Sequence, residues 1–173
     1  MIVHGNCLDV VQQLGDLGAV ITDPPIKVSQ SDGERYHLHN SGWLPLMRKI
    51  APVVIILASP EVVASWPTPS RVVVWNHVDN TSSILVYGEA HLPDIITHPW
   101  PDRDAFGHYS VKPLGLMLEL VRGTSGKVLD PFCGTGTTGV ACRILDREFV
   151  GFEIDRQFAE TARKRIAEAH IAA

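Results

Sequence analysis

The apolar positions of this 173-residue chain fall into short runs that end at Asp, Pro, Gly or Ser, and several are followed by a segment with helical spacing. Continuous runs rich in β-branched residues predict strands that are covered on both faces of a sheet. The predicted strands are residues 1–5, 19–22, 52–58, 71–76, 83–87, 127–130 and 148–153. The predicted helices are residues 8–14, 44–50, 61–66, 113–121, 137–145 and 156–170. This alternation predicts an α/β fold.

Two stretches interrupt the alternation and are predicted to be loops. Residues 27–43 are polar and rich in Gly, Ser and His, and residues 91–108 contain prolines without clear periodicity. The length, with 45% hydrophobic and 20% charged residues, predicts one compact domain. Three widely spaced cysteines and an N-terminus without a signal or anchor pattern lead us to expect a cytoplasmic protein. A net charge of -4 argues against a generally basic surface for gripping nucleic acid.

A glycine-rich turn follows the sixth predicted strand. Gly134, Gly136 and Gly139 give the spacing G-x-G-x-x-G, and Glu153 ends the next strand, where it can accept hydrogen bonds from a ribose. This spacing alone fits a dinucleotide such as NAD. Asp130 would repel a pyrophosphate and attract a ligand with an ammonium and a sulfonium. S-adenosylmethionine (AdoMet) is therefore favoured over NAD.

A second motif ends the strand at residues 19–22. Asp23 follows this strand and precedes two rigid residues, Pro24 and Pro25. Its carboxylate can accept a hydrogen bond from an amine, and the carbonyl of Pro24 can accept another. By itself, the motif fits a helix-capping Asp before Pro equally well.

Together these motifs resemble the β-group of AdoMet-dependent DNA amino methyltransferases, in a minimal form. T-D-P-P at residues 22–25 is similar to the catalytic motif, D-P-F-C-G-T-G-T at 130–137 to the AdoMet motif, and G-F-E-I-D at 151–155 to the ribose-binding strand. H-Y-S-V-K-P at 108–113 resembles the segment that contacts the methionine carboxylate.

The resemblance implies a doubly wound, mixed, seven-stranded Rossmann-like methyltransferase sheet. It is circularly permuted, with a catalytic half at residues 1–90, a reduced target-recognition loop at 91–108 and a cofactor half at 109–173. Residues 1–5 are then expected beside the last strand. Asn6 replaces an acid of the family, although its amide oxygen can still accept a hydrogen bond from the adenine amine. The cofactor-binding residues that the resemblance implies are Asn6, Cys7, Ser110, Lys112, Asp130, Phe132, Cys133, Gly134, Thr135, Gly136, Thr137 and Glu153.

The implied reaction is one in-line methyl transfer to the exocyclic amine of a flipped base. The implied catalytic residues are Asp23, Pro24, Pro25 and Ile26. Ile26 stands where the family usually has an aromatic residue, so weaker base stacking and slower turnover are expected. Tyr36 or Trp43 is a candidate for a substitute ring.

An Asp in the catalytic motif favours adenine N6 in DNA as the target. Cytosine N4, RNA, a protein amide and an AdoMet-binding protein that has lost catalysis remain alternatives. From Asp79 to Asp104 there are five acids and a single Arg103, so this region should repel phosphate. Specificity is expected to be relaxed, very short or supplied by a second subunit, in a bacterial or phage-encoded enzyme. Basic residues of the last helix are expected to form a solvated face, and no metal site is expected.

Overall fold

The computed structural model describes residues 1–9, 14–25, 42–101 and 111–171. Within these ranges one mixed sheet has eight strands in the order β1-β8-β7-β2-β3-β5-β4-β6. The strands are Ile2–His4 (β1), Ala19–Thr22 (β2), Val53–Ala58 (β3), Arg71–Asn76 (β4), Thr81–Tyr87 (β5), Ile95–Thr97 (β6), Val128–Asp130 (β7) and Phe149–Glu153 (β8). All neighbours pair in parallel except β5, which is antiparallel to both β3 and β4. The predicted α/β fold is confirmed.

Helices cover both faces of the sheet. They are Trp43–Ile50 (α1), Leu114–Arg122 (α2), Thr137–Ile144 (α3) and Arg156–Glu168 (α4). One apolar cluster joins alternate strand residues to α2, α3 and α4, and the other joins the opposite strand residues to α1. The continuous apolar runs of β2 and β3 follow from this arrangement, because side chains on both faces of these strands are buried.

One predicted helix differs from the structure, and a second is described only in part. The segment predicted as a helix at residues 61–66 is a 3₁₀ helix, Pro60–Ser65, and Trp66 N bonds Val63 O at 3.1 Å. Adjacent valines and the following Pro67 disfavour a full α-helix here. Of the helix predicted at residues 8–14, a 3₁₀ turn at Cys7–Asp9 is described, and residues 10–13 lie outside the described residues.

The prediction of a loop throughout residues 91–108 is wrong at β6, which makes the sheet eight-stranded rather than seven-stranded. This strand pairs in parallel with β4, and Val74 N donates to Asp94 O at 2.9 Å while His98 N donates to Asn76 O at 3.1 Å. Three residues give too little alternation to be read as a strand from sequence. Residues 102–110 of the same segment lie outside the described residues.

The first strand lies where it was expected, beside the last. Residues of β1 and β8 pair in parallel, and the Met1 amino group donates to Phe149 O at 2.8 Å. This contact brings Asn6 and Cys7 to the same sheet edge as Glu153, because parallel neighbours end at one edge. None of the helices in the described ranges is long and apolar enough to cross a membrane.

Candidate functional site

A cavity of about 880 Å³ opens at the carboxyl ends of the parallel strands. Its volume suits a small-molecule ligand of cofactor size. Of the predicted site residues, Ile26 and Ser110 lie outside the described residues, and all the others except Gly136 line this cavity. The strand order explains this convergence. β7 lies between β8 and β2, so the polar residues that end these three strands become neighbours.

Asp130 ends β7 and is buried beneath the glycine-rich turn. Its carboxylate accepts hydrogen bonds from Thr22 Oγ1 at 2.7 Å, Thr138 Oγ1 at 2.6 Å and Phe132 N at 3.1 Å. Burial raises the pKa of Asp130 to about 6, although these hydrogen bonds oppose the rise. Asp130 therefore joins β2, β7 and α3 and is a weaker source of negative charge than an exposed carboxylate.

Glu153 ends β8 and is held by the backbone. Its Oε2 accepts from Gly134 N at 2.9 Å and its Oε1 accepts from Asp155 N at 2.8 Å. Each carboxylate oxygen has a second lone pair, so both can still accept from hydroxyl groups. The carboxylate faces the cavity in a fixed orientation, as a ribose-binding acid must.

Gly136 packs against a helix and does not line the cavity. It has a φ of 83°, and a Cβ at this position would lie 2.7 Å from the Cβ of Ala162. The described geometry therefore gives it a packing role beside α4. Its neighbours Thr135 and Thr137 do line the cavity, and Arg165 Nη1 from α4 donates to Thr135 O at 2.7 Å.

Asp23 follows β2 directly, with Pro24 buried and Pro25 exposed after it. Lys112 was expected to contact a cofactor carboxylate, yet here its Nζ donates to Asp23 Oδ2. The side chain of Lys112 is 11% exposed and that of Asp23 is 32% exposed, so the ion pair is largely shielded from solvent. The Lys112 ammonium also lies 5.0 Å from the ring centroid of Trp100.

At the far end of the cavity, Asn6 Oδ1 accepts from Leu8 N at 3.1 Å, and one lone pair remains for another donor. Cys7 and Cys133 both line the cavity and are buried. Burial raises the pKa of the Cys133 thiol far above its ordinary value, so this thiol stays protonated. The site therefore does not present Cys133 as a nucleophile.

The aromatic wall of the cavity was not predicted from the sequence. Trp43, a candidate for the substitute ring, is 1% exposed and packs edge-on against Trp66 and Phe132, so it belongs to the core. The other candidate, Tyr36, lies outside the described residues. Trp75 and Trp100 line the cavity instead. The available signal was Trp100 between two prolines in an otherwise polar segment.

Thr22 and Thr138 were also missed. Both are buried and bond Asp130, but a threonine at a strand end or in a helix carries no distinctive sequence signal. Among the described residues, no group of three or more His, Cys, Asp or Glu side chains could hold a metal ion.

Comparison with protein families matches residues 74–164 to a family of DNA methylases (N6/N4 type). Among curated proteins, the type II methyltransferase M.SmaI of Serratia marcescens is 45% identical over 76 residues, which are 42% of this chain and 25% of that protein. The type II methyltransferase M2.MboI of Moraxella bovis is 41% identical over 64 residues, 35% of this chain and 23% of that protein. The matched part thus spans about a quarter of each relative.

Solved structures match over almost the entire chain. The crystal structure of the M1.HpyAVI–SAM complex has a TM-score of 0.75 at 22% identity, covering 96% of this chain and 98% of that one. The PvuII DNA methyltransferase, described as cytosine-N4-specific, has a TM-score of 0.72 at 13% identity, with 99% and 87% covered. At these identities the likeness establishes the fold.

Proposed function

The chain belongs to the family of N6/N4 DNA methylases, whose model matches just over half of its length, and we propose that it transfers a methyl group from AdoMet to an exocyclic amine of DNA. The observation that carries this proposal is the convergence of Asp23, Asp130 and Glu153 on one cavity. Asp23 comes from the first part of the chain and Asp130 and Glu153 from the last part, yet the strands that they follow or end are neighbours in the sheet.

The cavity fits AdoMet on three counts. It is large enough, and the fixed carboxylate of Glu153 suits ribose hydroxyls. Asp130 also lines the cavity, where its carboxylate favours a ligand with a cationic amino acid group. The residues proposed to hold the cofactor are Asn6, Cys7, Ser110, Lys112, Asp130, Phe132, Cys133, Gly134, Thr135, Thr137 and Glu153. When bound, AdoMet supplies an electrophilic methyl group.

Asp23 has the central part in the proposed mechanism. Its carboxylate accepts a hydrogen bond from the target amine, and the Pro24 carbonyl accepts another, which directs the nitrogen lone pair toward the methyl donor. Pro24 and Pro25 stiffen the backbone beside this carboxylate. Lys112 Nζ donates to Asp23 Oδ2 in the structure, and if it moves away when the amine binds, its ammonium is available to a carboxylate of the cofactor.

Adenine N6 is the proposed target. This preference rests on Asp23 at the position where cytosine-N4 members of the group typically carry serine. The structural likeness to a cytosine-N4-specific enzyme keeps cytosine N4 as the alternative. Mass spectrometry of nucleosides from treated DNA separates the two, because N6-methyladenine and N4-methylcytosine differ in mass.

The first prediction concerns transfer of tritium from labelled AdoMet to duplex and single-stranded DNA. We expect Asp23→Asn to lower the rate by about 100-fold or more, because the target amine loses its charged acceptor and its alignment. Calorimetry should show AdoMet still binding. Asp94→Asn is the matched control, since Asp94 forms an ion pair with Arg71 that lies outside the cavity.

An Asp23→Asn enzyme as fast as the wild type would remove Asp23 from the mechanism. If the wild-type protein transfers no methyl group to DNA, the same assay on RNA and protein substrates tests the other acceptors. Binding of AdoMet without transfer to any of them would support an AdoMet-binding protein without catalysis. The Lys112–Asp23 pair favours that second candidate, because it engages the proposed catalytic carboxylate.

The curated relatives in the comparison are bacterial type II methyltransferases. We therefore propose that the protein acts on DNA in the cytoplasm of a bacterium and is encoded by the bacterium or by a phage. A homodimer or a separate specificity subunit is proposed to supply the sequence reading that residues 91–108 are too acidic and too short to provide.

A further inference from the structure

Trp100 forms part of the cavity wall on the side of Asp23. Its side chain belongs to the small group of large apolar residues in the described ranges that remain exposed, at 36%. Trp100, Asp23, Pro24 and Pro25 all line the same cavity. An aromatic ring at this position is unexpected, because the family pattern places the ring directly after the two prolines.

The Trp100 ring is held in place by other aromatic side chains. It lies 4.7 Å from the ring of Trp75 and 5.6 Å from the ring of His77. Trp75 is 1% exposed and its Nε1 donates to His98 O at 2.8 Å. The ring is thus in contact with a fixed neighbour, so little conformational entropy should be lost when a planar ligand stacks on it.

Lys112 shows what this part of the cavity can bind. Its ammonium donates a hydrogen bond to Asp23 and lies over the face of Trp100 at 5.0 Å from the centroid. A base with an exocyclic amine would make the same two contacts, one from its N–H to the carboxylate and one from its π face to the ring. The ammonium of Lys112 therefore occupies a position at which a ligand can contact both the carboxylate of Asp23 and the ring of Trp100.

We propose that Trp100 is the surface on which the target base stacks. It would thereby take the role of the aromatic residue that the family usually has at the position of Ile26. The inference rests on the proposed function, because it identifies the ligand that binds beside Asp23 in that cavity as a nucleobase with an amine. The base takes the position of the Lys112 ammonium, which moves away when the base binds.

The test measures the affinity of an oligodeoxynucleotide containing 2-aminopurine, in the presence of S-adenosylhomocysteine. The fluorescence of 2-aminopurine falls when the base stacks. Trp100→Phe should bind within about 3-fold of the wild type, while Trp100→Leu should bind about 5- to 160-fold more weakly, in line with the loss of one base–aromatic stack. The control is Ile95→Ala, on the same segment, exposed and outside the cavity; its affinity should be unchanged.

An oligonucleotide with an abasic site in place of the 2-aminopurine separates base contacts from backbone contacts. Trp100→Leu should not weaken the binding of the abasic strand. Equal affinities of Trp100→Phe and Trp100→Leu for the base-containing strand would overturn the inference, provided that both bind S-adenosylhomocysteine as the wild type does.

A second measurement uses the wild-type protein and does not depend on the folding of any variant. An oligonucleotide carrying 8-azidoadenine is photocrosslinked to the protein, and the modified peptide is sequenced. Modification of Trp100 supports the inference, and modification confined to other residues overturns it. Neither binding experiment requires turnover, so a failure of the proposed methyl transfer is seen separately, as the absence of tritium transfer by the wild type.

Discussion

At the residue scale, the carboxylate of Asp130 has a different role in the structure from the one that the sequence suggested, because it is buried. The sequence suggested a negative charge that selects a cationic ligand. In the structure the carboxylate is 3% exposed and is held by two threonine hydroxyls and one backbone amide. Since Thr22 precedes Asp23, Asp130 also positions the strand end that carries the proposed catalytic carboxylate.

This burial predicts a dependence of stability on pH. The folded-state pKa of Asp130 is about 6 and the ordinary value is 3.8, so the folded protein binds more protons than the unfolded chain between these values. The contribution of Asp130 to the free energy of unfolding should therefore be largest below about pH 4 and should fall by about 3 kcal/mol as the pH rises through 6.

Urea unfolding of the wild type and of Asp130→Asn across this range isolates the effect, because the other titrating groups are common to both. The stability of the wild type relative to Asp130→Asn should decline from about pH 4 to pH 6 and level off above it. A difference that stays constant, or that grows with pH, would contradict the assignment.

At the element scale, α3 and α4 approach closely because glycine occupies their contact. A Cβ on Gly136 would meet Ala162, and one on Gly139 would lie 2.4 Å from Ile166 Cδ1. Sequence spacing placed both glycines in a cofactor fingerprint. The structure shows that they also set the distance between two helices, a requirement that spacing along one segment cannot reveal.

Gly136→Ala should therefore destabilise the protein in the absence of any ligand. The matched control is Gly42→Ala, because Gly42 also precedes a helix with a positive φ, 75°, but a Cβ on Gly42 would have no heavy atom within 4 Å. Gly42→Ala should cost about 1 kcal/mol for the backbone conformation alone.

Gly136→Ala should cost about 1 to 3 kcal/mol more, because the added methyl group overpacks the contact with Ala162. Chemical denaturation of both variants measures the difference. Equal losses of stability would show that α4 shifts to accommodate the methyl group without a further loss of stability. Close packing would then not explain why glycine occupies position 136.

At the scale of the whole molecule, charge limits how the chain can hold DNA. The basic residues of α4 have partners within the chain. Arg165 bonds the glycine-rich turn, Arg163 Nη2 donates to Ile2 O at 3.2 Å, and Arg156 and Lys164 form i,i+4 pairs with glutamates. Combined with the net charge of -4, this predicts few direct phosphate contacts.

Nucleic-acid binding by the isolated chain should therefore depend only weakly on salt. A plot of log affinity against log salt concentration, measured by fluorescence anisotropy, should have a slope of magnitude about 3 or less. A much steeper slope would mean that the described basic residues leave their internal partners for phosphates. A steeper slope only when a second protein is added would support a specificity subunit.

Local patterns in the sequence were enough to predict all the described strands except β6, the four α-helices and the motifs of the proposed site. Continuous apolar runs and helical spacing are local properties, and the glycine turn and the Asp-Pro-Pro strand end are constrained by backbone conformation. The sequence also favoured an N-terminal strand beside the C-terminal one, through its resemblance to a family in which the catalytic half comes first.

Which side chains face each other across the cavity depends on the tertiary structure alone. The pairing of Lys112 with Asp23 joins residues 89 positions apart, and the hydrogen bond of Thr22 to Asp130 joins residues 108 positions apart. Trp43 became a core residue and Trp100 a cavity wall because of the packing around them. Long-range contacts of this kind arise from the order of strands in the sheet, and no local pattern encodes them.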